Sequence, residues 1–419
     1  MQNSNANHSL QHFHGRDIPM SKVKIFALAV SFTLLFLAMI AQPAQANPAT
    51  RLQTANRYLD DMYDGDEGGF TVPGASASRI AGTFGAIVFR HHMPPNVDGG
   101  YLASRPPPFD LVKTKNFTQK VQWVSGNEDN DRYGGFAAYL AGPVSIISTF
   151  RAVETWKILN DHNDIPGMED VTTNFTAALI YVNKTQSTSG GFGPQADASP
   201  DLLSTYRALS IMEHAASVTG DTMDKWLQNK TKTTEWIRSC RQGDAFTLTP
   251  SARTVGVTPT AAALLALDIL GEFQGTDNLQ GIANWIKDRQ IIESASGEFI
   301  GGFQEGVGTN DTNLISTYFA IQALNLLDTI PEDTSAIAEF VAGCQAADGS
   351  WGAVPGLEEG DIVYMAYAAR TLTTLDEASI LNQEDPNNPA PPLIDWRVLF
   401  IASLLIIGLV VAVFSVRSD

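Results

Sequence analysis

Residues 181–192 read YVNKTQSTSGGF, which is the end of an amphipathic helix followed by a glycine turn that closes on an aromatic residue. The same arrangement recurs at intervals of roughly 50 to 65 residues, in or just above the range of repeats built from two helices. The six turns lie at residues 68–70, 134–136, 190–192, 243–246, 301–303 and 349–351. Because a repeat of this kind cannot bury its apolar face alone, the recurrence predicts an array of six packed units.

Each unit is predicted to contain two different helices. The first has a single apolar stripe, as in the fifth unit, where Leu279, Ile282 and Ile286 follow helical spacing. The second, exemplified by residues 260–270, is apolar on nearly all sides and is typical of a buried helix. An open array would expose apolar flanks at its ends. The predicted fold class is therefore all-α: a closed α/α6 toroid of six outer and six inner helices over residues 47–376.

Composition restricts the function classes. The net charge of −18 over 419 residues, without a cluster of Lys and Arg, argues against nucleic acid as a partner. Anionic substrates would also be repelled unless a local basic pocket existed. The two cysteines, Cys240 and Cys344, occupy equivalent positions in the fourth and sixth repeats. A ring would separate them beyond the ~4.4–6.8 Å between α-carbons that a disulfide spans, so two buried, unpaired thiols are predicted.

The amino-terminal segment, residues 1–46, has the pattern of a leader and secretory signal, with Met20 as an alternative start. Lys22 and Lys24 precede an apolar run over residues 25–41, and residues 44–46 (Ala-Gln-Ala) form a small-x-small cleavage site. An uncleaved anchor is the alternative. The pattern predicts that the body of the protein is exported.

A second apolar run, residues 398–416, contains no charged residue and is long enough to span a bilayer as a helix. Trp396 and Arg397 lie where interfacial anchors belong. Residues 377–397 are predicted to form a Pro-rich stalk, and residues 417–419 a short tail. The pattern predicts a single-pass protein of the cell membrane, anchored by its carboxyl-terminal helix, with its main domain on the extracytoplasmic side.

Five Asn-x-Thr sequons agree with export and predict a glycoprotein, although a chain rich in Asn and Thr yields a few by chance. They lie at Asn116, Asn174, Asn183, Asn229 and Asn310. Residues 90–116, which include three consecutive prolines, are predicted to be the longest irregular loop.

Residues 340–351, with Gln345 and Trp351, resemble the Gln-Trp repeat of terpene cyclases and the related repeat of protein prenyltransferase β subunits. Residues 181–192 form a second copy, and residues 285–290 open a third whose turn is displaced by an insertion. The resemblance covers roughly residues 50 to 376. It implies an α/α toroid with a barrel of inner helices and a central cavity open at one end, but one fold hosts several chemistries.

The zinc site of the prenyltransferases is not matched. The resemblance places its three ligands, an Asp, a Cys and a His, at Asn313, Ile315 and Tyr364. These residues lack the thiolate, imidazole and carboxylate donors that zinc prefers. The segment in which the family carries diphosphate-binding cations, residues 305–310, contains no Lys or Arg. No zinc and no cofactor are therefore predicted.

The paired carboxylates of the protonating terpene cyclases are also missing. The matching segment, residues 201–205, reads Asp-Leu-Leu-Ser-Thr. It lacks the second acid that would help to raise a carboxyl pKa for protonation.

Six residues at or near the predicted inner-helix starts would face the cavity mouth by the geometry of the family and are the candidate binding residues. They are Asp201, Tyr206, Asn313, Tyr318, Asp361 and Tyr364. Helix capping is the alternative for the two aspartates, and a place in the core is the alternative for the tyrosines.

Two acidic loops raise a weak calcium hypothesis, because calcium prefers several oxygen ligands. The candidate ligands are Asp64 and Asp66 before the first turn, and Asp129 and Asp131 before the second. A solvated acidic loop is the alternative.

These patterns favour a binding module over an enzyme. Its partner would be a hydrophobic ligand, a glycan or a protein segment held in the cavity mouth. The first alternative is an isoprenoid-type transferase or cyclase with an altered active site. The second is a polysaccharide-active enzyme, which would require two carboxylates roughly 5 to 9 Å apart, with Asp201 and Asp361 as the pair.

Overall fold

The computed structural model describes residues 48–93, 109–162, 165–274, 277–293, 299–308 and 312–388. The chain divides into two units. One comprises residues 49–389 and contains all the elements given below. The other comprises residues 1–48 and 390–419, of which only Pro48 is described. The predicted signal sequence and membrane helix thus lie outside the described residues. Within the described ranges, no helix is both long and apolar enough to cross a membrane.

The larger unit has two layers of helices. In the described part of the chain, six amphipathic helices form the outer layer: α1 (Arg51–Met62), α3 (Leu111–Lys120), α5 (Phe175–Lys184), α8 (Lys230–Ser239), α10 (Leu279–Lys287) and α12 (Thr334–Gly343). Six longer helices form the inner layer: α2 (Ile80–His92), α4 (Ile146–Asn160), α6 (Leu202–Thr219), α9 (Val257–Leu270), α11 (Leu314–Leu326) and α13 (Ile362–Thr374). A short helix, α7 (Met223–Trp226), and a 3₁₀ helix (Ala378–Asn382) complete the helical elements.

The inner layer closes on itself. Each inner helix packs against the next one in the chain, and α13 packs against α2. The two backbones approach closely at Gly85 of α2, where an added Cβ would lie 2.2 Å from the carbonyl oxygen of Ile362 in α13. The closed toroid that the repeats predict is confirmed.

The glycine turns fasten each outer helix to the inner helix that follows. The aromatic residue of every turn is buried. In five of the described repeats its backbone N–H donates to a threonine hydroxyl near the start of the inner helix: Phe70 to Thr83, Phe136 to Thr149, Phe192 to Thr205, Phe246 to Thr260 and Phe303 to Thr317. These bonds explain why the inner helices begin with Ser and Thr, since each hydroxyl satisfies a buried backbone donor.

The fold is mostly helical rather than all-α, which corrects the predicted fold class. Around the fourth turn, three short strands form an antiparallel sheet in the order β1 (Arg241–Gln242), β2 (Ala245–Thr247) and β3 (Val255–Gly256). Residues 241 and 246 are paired, as are residues 247 and 255. Gly243 and Asp244 make the β1–β2 connection, which is a tight hairpin turn.

Two predicted segment boundaries differ from the structure. Residues 90–92 belong to α2 and residues 111–116 to α3, so the irregular loop predicted over residues 90–116 is shorter than expected, and its part at 94–108 lies outside the described residues. The toroid also continues into the segment assigned to the stalk. Leu381 is buried there, because the 3₁₀ helix packs against the toroid.

The two ends of the toroid lie side by side. Thr50 and Glu384 form an antiparallel bridge, and the amide of Asp385 donates to the carbonyl of Ala49 at 2.9 Å. The chain therefore enters and leaves the larger unit at neighbouring positions.

Both cysteines are free and buried, as predicted. Burial raises the pKa of the Cys240 thiol to about 12 and also raises the pKa of Cys344. Neither thiol has the electropositive, accessible environment of a catalytic cysteine.

Candidate functional site

All six inner helices begin at one end of the ring, which we call the mouth. In five of them, the first backbone N–H donates to a carbonyl in the loop before the next inner helix. These bonds run from Ile80 to Ala138, from Ile146 to Pro194, from Leu202 to Leu248, from Val257 to Glu305 and from Leu314 to Ala353. The sixth start, at Ile362, lies beside Gly85 near the start of α2. Hydrogen bonds therefore link five of the six inner-helix starts to the loop before the next inner helix.

Three of the predicted mouth residues cap inner helices. Asp201 accepts from the backbone N–H of Ser204 at 2.8 Å and from the Ser204 hydroxyl at 2.7 Å. Asn313 caps α11 through the N–H of Ser316, and Asp361 caps α13 through the N–H of Val363. Each of these side chains thus satisfies a backbone N–H group that the helix itself leaves without an acceptor.

The three tyrosines predicted at the mouth, Tyr206, Tyr318 and Tyr364, lie deeper in the ring than the helix starts. They belong to a layer of aromatic side chains. Tyr206 contacts Phe150, with 6.1 Å between ring centroids, and Phe319, at 6.5 Å. Tyr318 contacts Tyr367 at 5.0 Å. We define the aromatic layer as Phe84, Phe150, Tyr206, Tyr318, Phe319, Tyr364 and Tyr367, which come from five of the described inner helices. Burial raises the pKa of Tyr206, Tyr318 and Tyr364, so their hydroxyls stay neutral.

An ion pair crosses the ring about one helical turn beyond this layer. Arg370 of α13 lies 2.6 Å from Glu154 of α4, and their side chains are only 17% and 12% exposed. Arg370 also donates a hydrogen bond to Tyr318, and Lys157 approaches Glu154 at 3.6 Å. Burial alone would raise the pKa of Glu154, but the positive charges of Arg370 and Lys157 lower it below its usual value. Glu154 therefore stays ionised inside the ring.

Sequence reasoning missed this pair and two further cations, Arg151 of α4 and Arg207 of α6. A signal was present, because these charged residues lie in helices that the repeat pattern assigns to the inner layer. A buried helix rarely carries a charged residue without a partner or a function. Only the closed ring shows which of these charges meet.

An apolar cleft opens at the mouth between the starts of α6, α9 and α11. Its volume is about 440 Å³, and its walls include Leu203, Leu248, Pro259 and Ile315. Glu305 also borders the cleft, where it accepts from the backbone N–H and the hydroxyl of Thr258. The carboxylate of Glu305 therefore serves the start of α9, in the segment where the resemblance implies diphosphate-binding cations.

The residues at the family's zinc positions do not fit zinc. The side-chain oxygen of Asn313 is engaged in capping, Ile315 is a hydrocarbon, and Tyr364 has a neutral hydroxyl. Across the described ranges, no three His, Cys, Asp or Glu side chains converge so that they could hold a metal. No step of metal chemistry is therefore derived for this site.

The acidic loops proposed for calcium are organised by local hydrogen bonds. Asp64 accepts from the N–H groups of Asp66 and Glu67, at 3.0 and 3.2 Å. Asp129 accepts from the side chain of Asn127. Weak calcium binding at Asp64, Asp66, Asp129 and Asp131 stays a prediction.

The sequence matches the family described as Prenyltransferase alpha-alpha toroid domain over residues 26–245, 109–294 and 263–388. The chain belongs to this family. No curated protein shows significant similarity to it.

Among solved structures, protein geranylgeranyltransferase-I of Candida albicans in complex with GGPP is similar in fold. It has 15% sequence identity and a TM-score of 0.56 over 86% of this chain and 94% of that chain. A type II terpene cyclase from Scytonema in complex with merosterolic acid A shows 12% identity and a TM-score of 0.48 over 79% and 96% of the two chains. At these identities the similarity concerns the fold alone.

Proposed function

We propose that this toroid binds a hydrophobic molecule inside its ring, through the mouth, without the zinc-dependent transfer chemistry of the prenyltransferases. The aromatic layer is the observation that carries the proposal. Phe150, Tyr206, Tyr364 and Tyr367 are only half-buried, so part of their ring surface stays available to a ligand. Apolar surface removed from water stabilises a complex by about 25 cal/mol per Å², which favours an alkyl or isoprenoid chain packed against these rings.

We further propose that the toroid is tethered to the cell membrane with its main domain on the extracytoplasmic side. The pattern of residues 398–416 and the signal pattern of residues 20–46 support this location. Because Thr50 and Glu384 are bridged, both apolar segments would connect to neighbouring points of the toroid.

An isoprenoid-type transferase or cyclase is the second candidate function. The cations inside the ring favour it, because arginines can hold an anionic leaving group. The unmatched zinc ligands at Asn313, Ile315 and Tyr364 weigh against a prenyltransferase mechanism. Glycan hydrolysis is less favoured, since Asp201 and Asp361 are both occupied as helix caps.

Binding is tested with the full chain in lipid nanodiscs by isothermal titration of octanol and geraniol, with protein-free nanodiscs as the blank. We expect saturable binding of both alcohols. Tyr206→Ala removes a half-buried ring of the layer and should weaken the affinity by about tenfold. Tyr206→Phe keeps the ring and should bind like the wild type. Heat equal to that of the empty nanodiscs at all concentrations would refute the proposal.

A further inference from the structure

Two arginines stand beside each other in the ring at the level of the aromatic layer. Arg151 and Arg207 are each the sixth residue of their inner helices, α4 and α6, which pack against one another. Each directly follows an aromatic residue of the layer, Phe150 or Tyr206. The sixth residues of α11 and α13 are aromatic. The helices α4 and α6 therefore carry a cation at the helix position where α11 and α13 carry an aromatic ring.

Neither guanidinium group is neutralised by a described part of the chain. Within those residues, the guanidinium groups of Arg151 and Arg207 form no hydrogen bond and no ion pair. Burial lowers the pKa of Arg207; Tyr367 and Asp201 act to raise it, and the positive charge of Arg151 lowers it further. The two cations are therefore close enough to repel each other.

Arg370 provides the internal comparison. It lies in the same ring, with a side chain only 17% exposed, but it has Glu154 at 2.6 Å and a hydrogen bond to Tyr318. Removing charge from water is costly unless a counter-charge or hydrogen bonds replace the lost hydration. Arg370 meets this requirement with protein groups, whereas the side chain of Arg207, whose pKa burial lowers, has no such group among the described residues.

We propose that Arg151 and Arg207 form an oxyanion site that holds the carboxylate or phosphate end of the molecule bound in the ring. The proposal rests on the proposed function and adds the chemical class of the ligand, an anionic amphiphile. Guanidinium groups match the geometry of both oxyanions through paired N–H donors. The apolar part of such a ligand would lie against Phe150 and Tyr206.

This site differs from the one that the family resemblance implies. The resemblance places cations at residues 305–310, in the fifth repeat, where this chain has none. Arg151 and Arg207 belong to the second and third repeats. They also supply the local basic pocket that a chain of net charge −18 would need in order to attract an anion.

The test compares octyl phosphate, octanoate and octanol on the full chain in nanodiscs by isothermal titration. We expect at least one of the two anions to bind about tenfold more tightly than octanol. Arg151→Gln and Arg207→Gln should each remove this preference, so that the variants bind the anions no more tightly than they bind octanol. Arg253→Gln is the matched control, because it removes one exposed positive charge from the loop before β3. The anion with the larger preference identifies the head group as phosphate or carboxylate.

A second measurement separates this role from a structural one. If the two cations repel each other in the empty ring, Arg207→Met should maintain or raise the melting temperature of the ligand-free protein. It should also abolish the rise in melting temperature that pyrophosphate produces in the wild type. A structural arginine would instead lower the melting temperature when replaced.

The outcomes distinguish the two proposals. An octanol affinity without any anion preference, or a preference that survives both Gln variants, would overturn the oxyanion site and leave the proposed function intact. If octanol does not bind, the proposed function fails. Pyrophosphate then tests the oxyanion site alone, and the absence of a pyrophosphate effect on the wild-type melting temperature would overturn it.

Discussion

In each repeat, the glycine turn packs against the outer helix of the next repeat. This contact is made differently at the junction between the third and fourth repeats (the first junction) and at the junction between the fourth and fifth (the second junction). At the first junction, Gly190 has a φ of +106°, and an added Cβ would lie 2.4 Å from the carbonyl oxygen of Lys232 in α8. At the second, Gly243 has a φ of +64° and open space around it. The glycine that permits close approach is Gly281 of α10, where an added Cβ would lie 2.9 Å from the side chain of Asp244. The small residue has moved from the turn to the helix.

The polar contacts change along with the glycine. At the first junction, the buried Gln186 donates to the hydroxyl of Thr233 at 2.9 Å and accepts from the amide of Gln228 at 3.0 Å. At the second, Arg241 takes the place of the glutamine and lies 3.8 Å from Asp277. Charged side chains at the second junction thus take the place of the neutral hydrogen bonds of Gln186 at the first. The Gly-Gly-aromatic signature is therefore a mark of close approach between turn and helix, and it changes where the approach is made differently.

The largest expected effect is the difference in unfolding free energy lost when each of the two turn glycines, Gly190 and Gly243, is replaced by alanine. Gly190→Ala introduces both the cost of a left-handed backbone, about 1–2 kcal/mol, and the cost of overpacking, about 1–3 kcal/mol. Gly243→Ala introduces only the backbone cost. We expect losses of about 3 and about 1 kcal/mol in the free energy of unfolding. Urea unfolding of the full chain, followed by near-ultraviolet circular dichroism, measures both.

Equal losses in the two variants would break the comparison, because the contact with Lys232 would then have no energetic weight. Lys232→Ala is the control for the partner helix. Its side chain is exposed and makes only one long, exposed hydrogen bond to the turn, from Nζ to the carbonyl of Thr188 at 3.4 Å, so the change should be within about 0.5 kcal/mol of the wild type.

The repeats show how much of this molecule follows from sequence alone. The glycine turns and the two helix types predict the toroid, since a period of this size admits few architectures. The fourth turn, Gly-Asp-Ala-Phe, already departs from the others, but nothing in it announces a three-stranded sheet. Strands of two or three residues have no periodicity to detect, and they form here because the turn is a hairpin.

The candidate site was predicted less well, for a geometric reason. Helix starts are visible in sequence, and Asp201, Asn313 and Asp361 do lie at inner-helix starts, where their side chains cap the helices themselves. The charged side chains inside the ring come from α4, α6 and α13. Glu154 and Arg370, which form the ion pair, are 216 residues apart in the sequence. Such a pairing depends on ring closure and on the rotation of each inner helix, which a single sequence does not specify.

A smaller effect is expected from the polar bridges. Gln186→Ala removes the buried hydrogen bond to Thr233 and leaves the partly buried amide of Gln228 without its acceptor, and it should cost about 2 kcal/mol. Arg241→Ala removes contacts whose ionic partners lie 3.7 and 3.8 Å away on a partly exposed surface, and should cost less than about 1 kcal/mol. Unfolding free energies at low salt measure the two losses.

Repeating these measurements in about 1 M salt, where the screening length is about 3 Å, sharpens the contrast. The loss caused by Arg241→Ala should shrink, and the loss caused by Gln186→Ala should persist. If both respond to salt in the same way, the second junction does not depend on charge.

The last expected effect is a pH dependence of stability at the second junction. Burial alone would raise the pKa of Asp277, but hydrogen bonds from the amide of Gln274 and from Arg238, together with the charges of Arg238 and Arg241, lower it below its usual value. A carboxyl with a lowered pKa stabilises the fold above the unfolded value, about 3.9, and that contribution is lost as the pH falls through the lower folded value. Asp277→Asn should therefore cost about 1 kcal/mol at pH 7, and this difference should shrink as the pH falls from about 5 to 3.

Gln186 provides the reference for this titration, because its amide is neutral throughout the range. The stability difference between the wild type and Gln186→Ala should stay constant while the Asp277→Asn difference declines. An Asp277→Asn difference that stays constant or grows towards pH 3 would show that the carboxylate of Asp277 does not stabilise the second junction through its charge. The two junctions would then differ only in where the glycine stands.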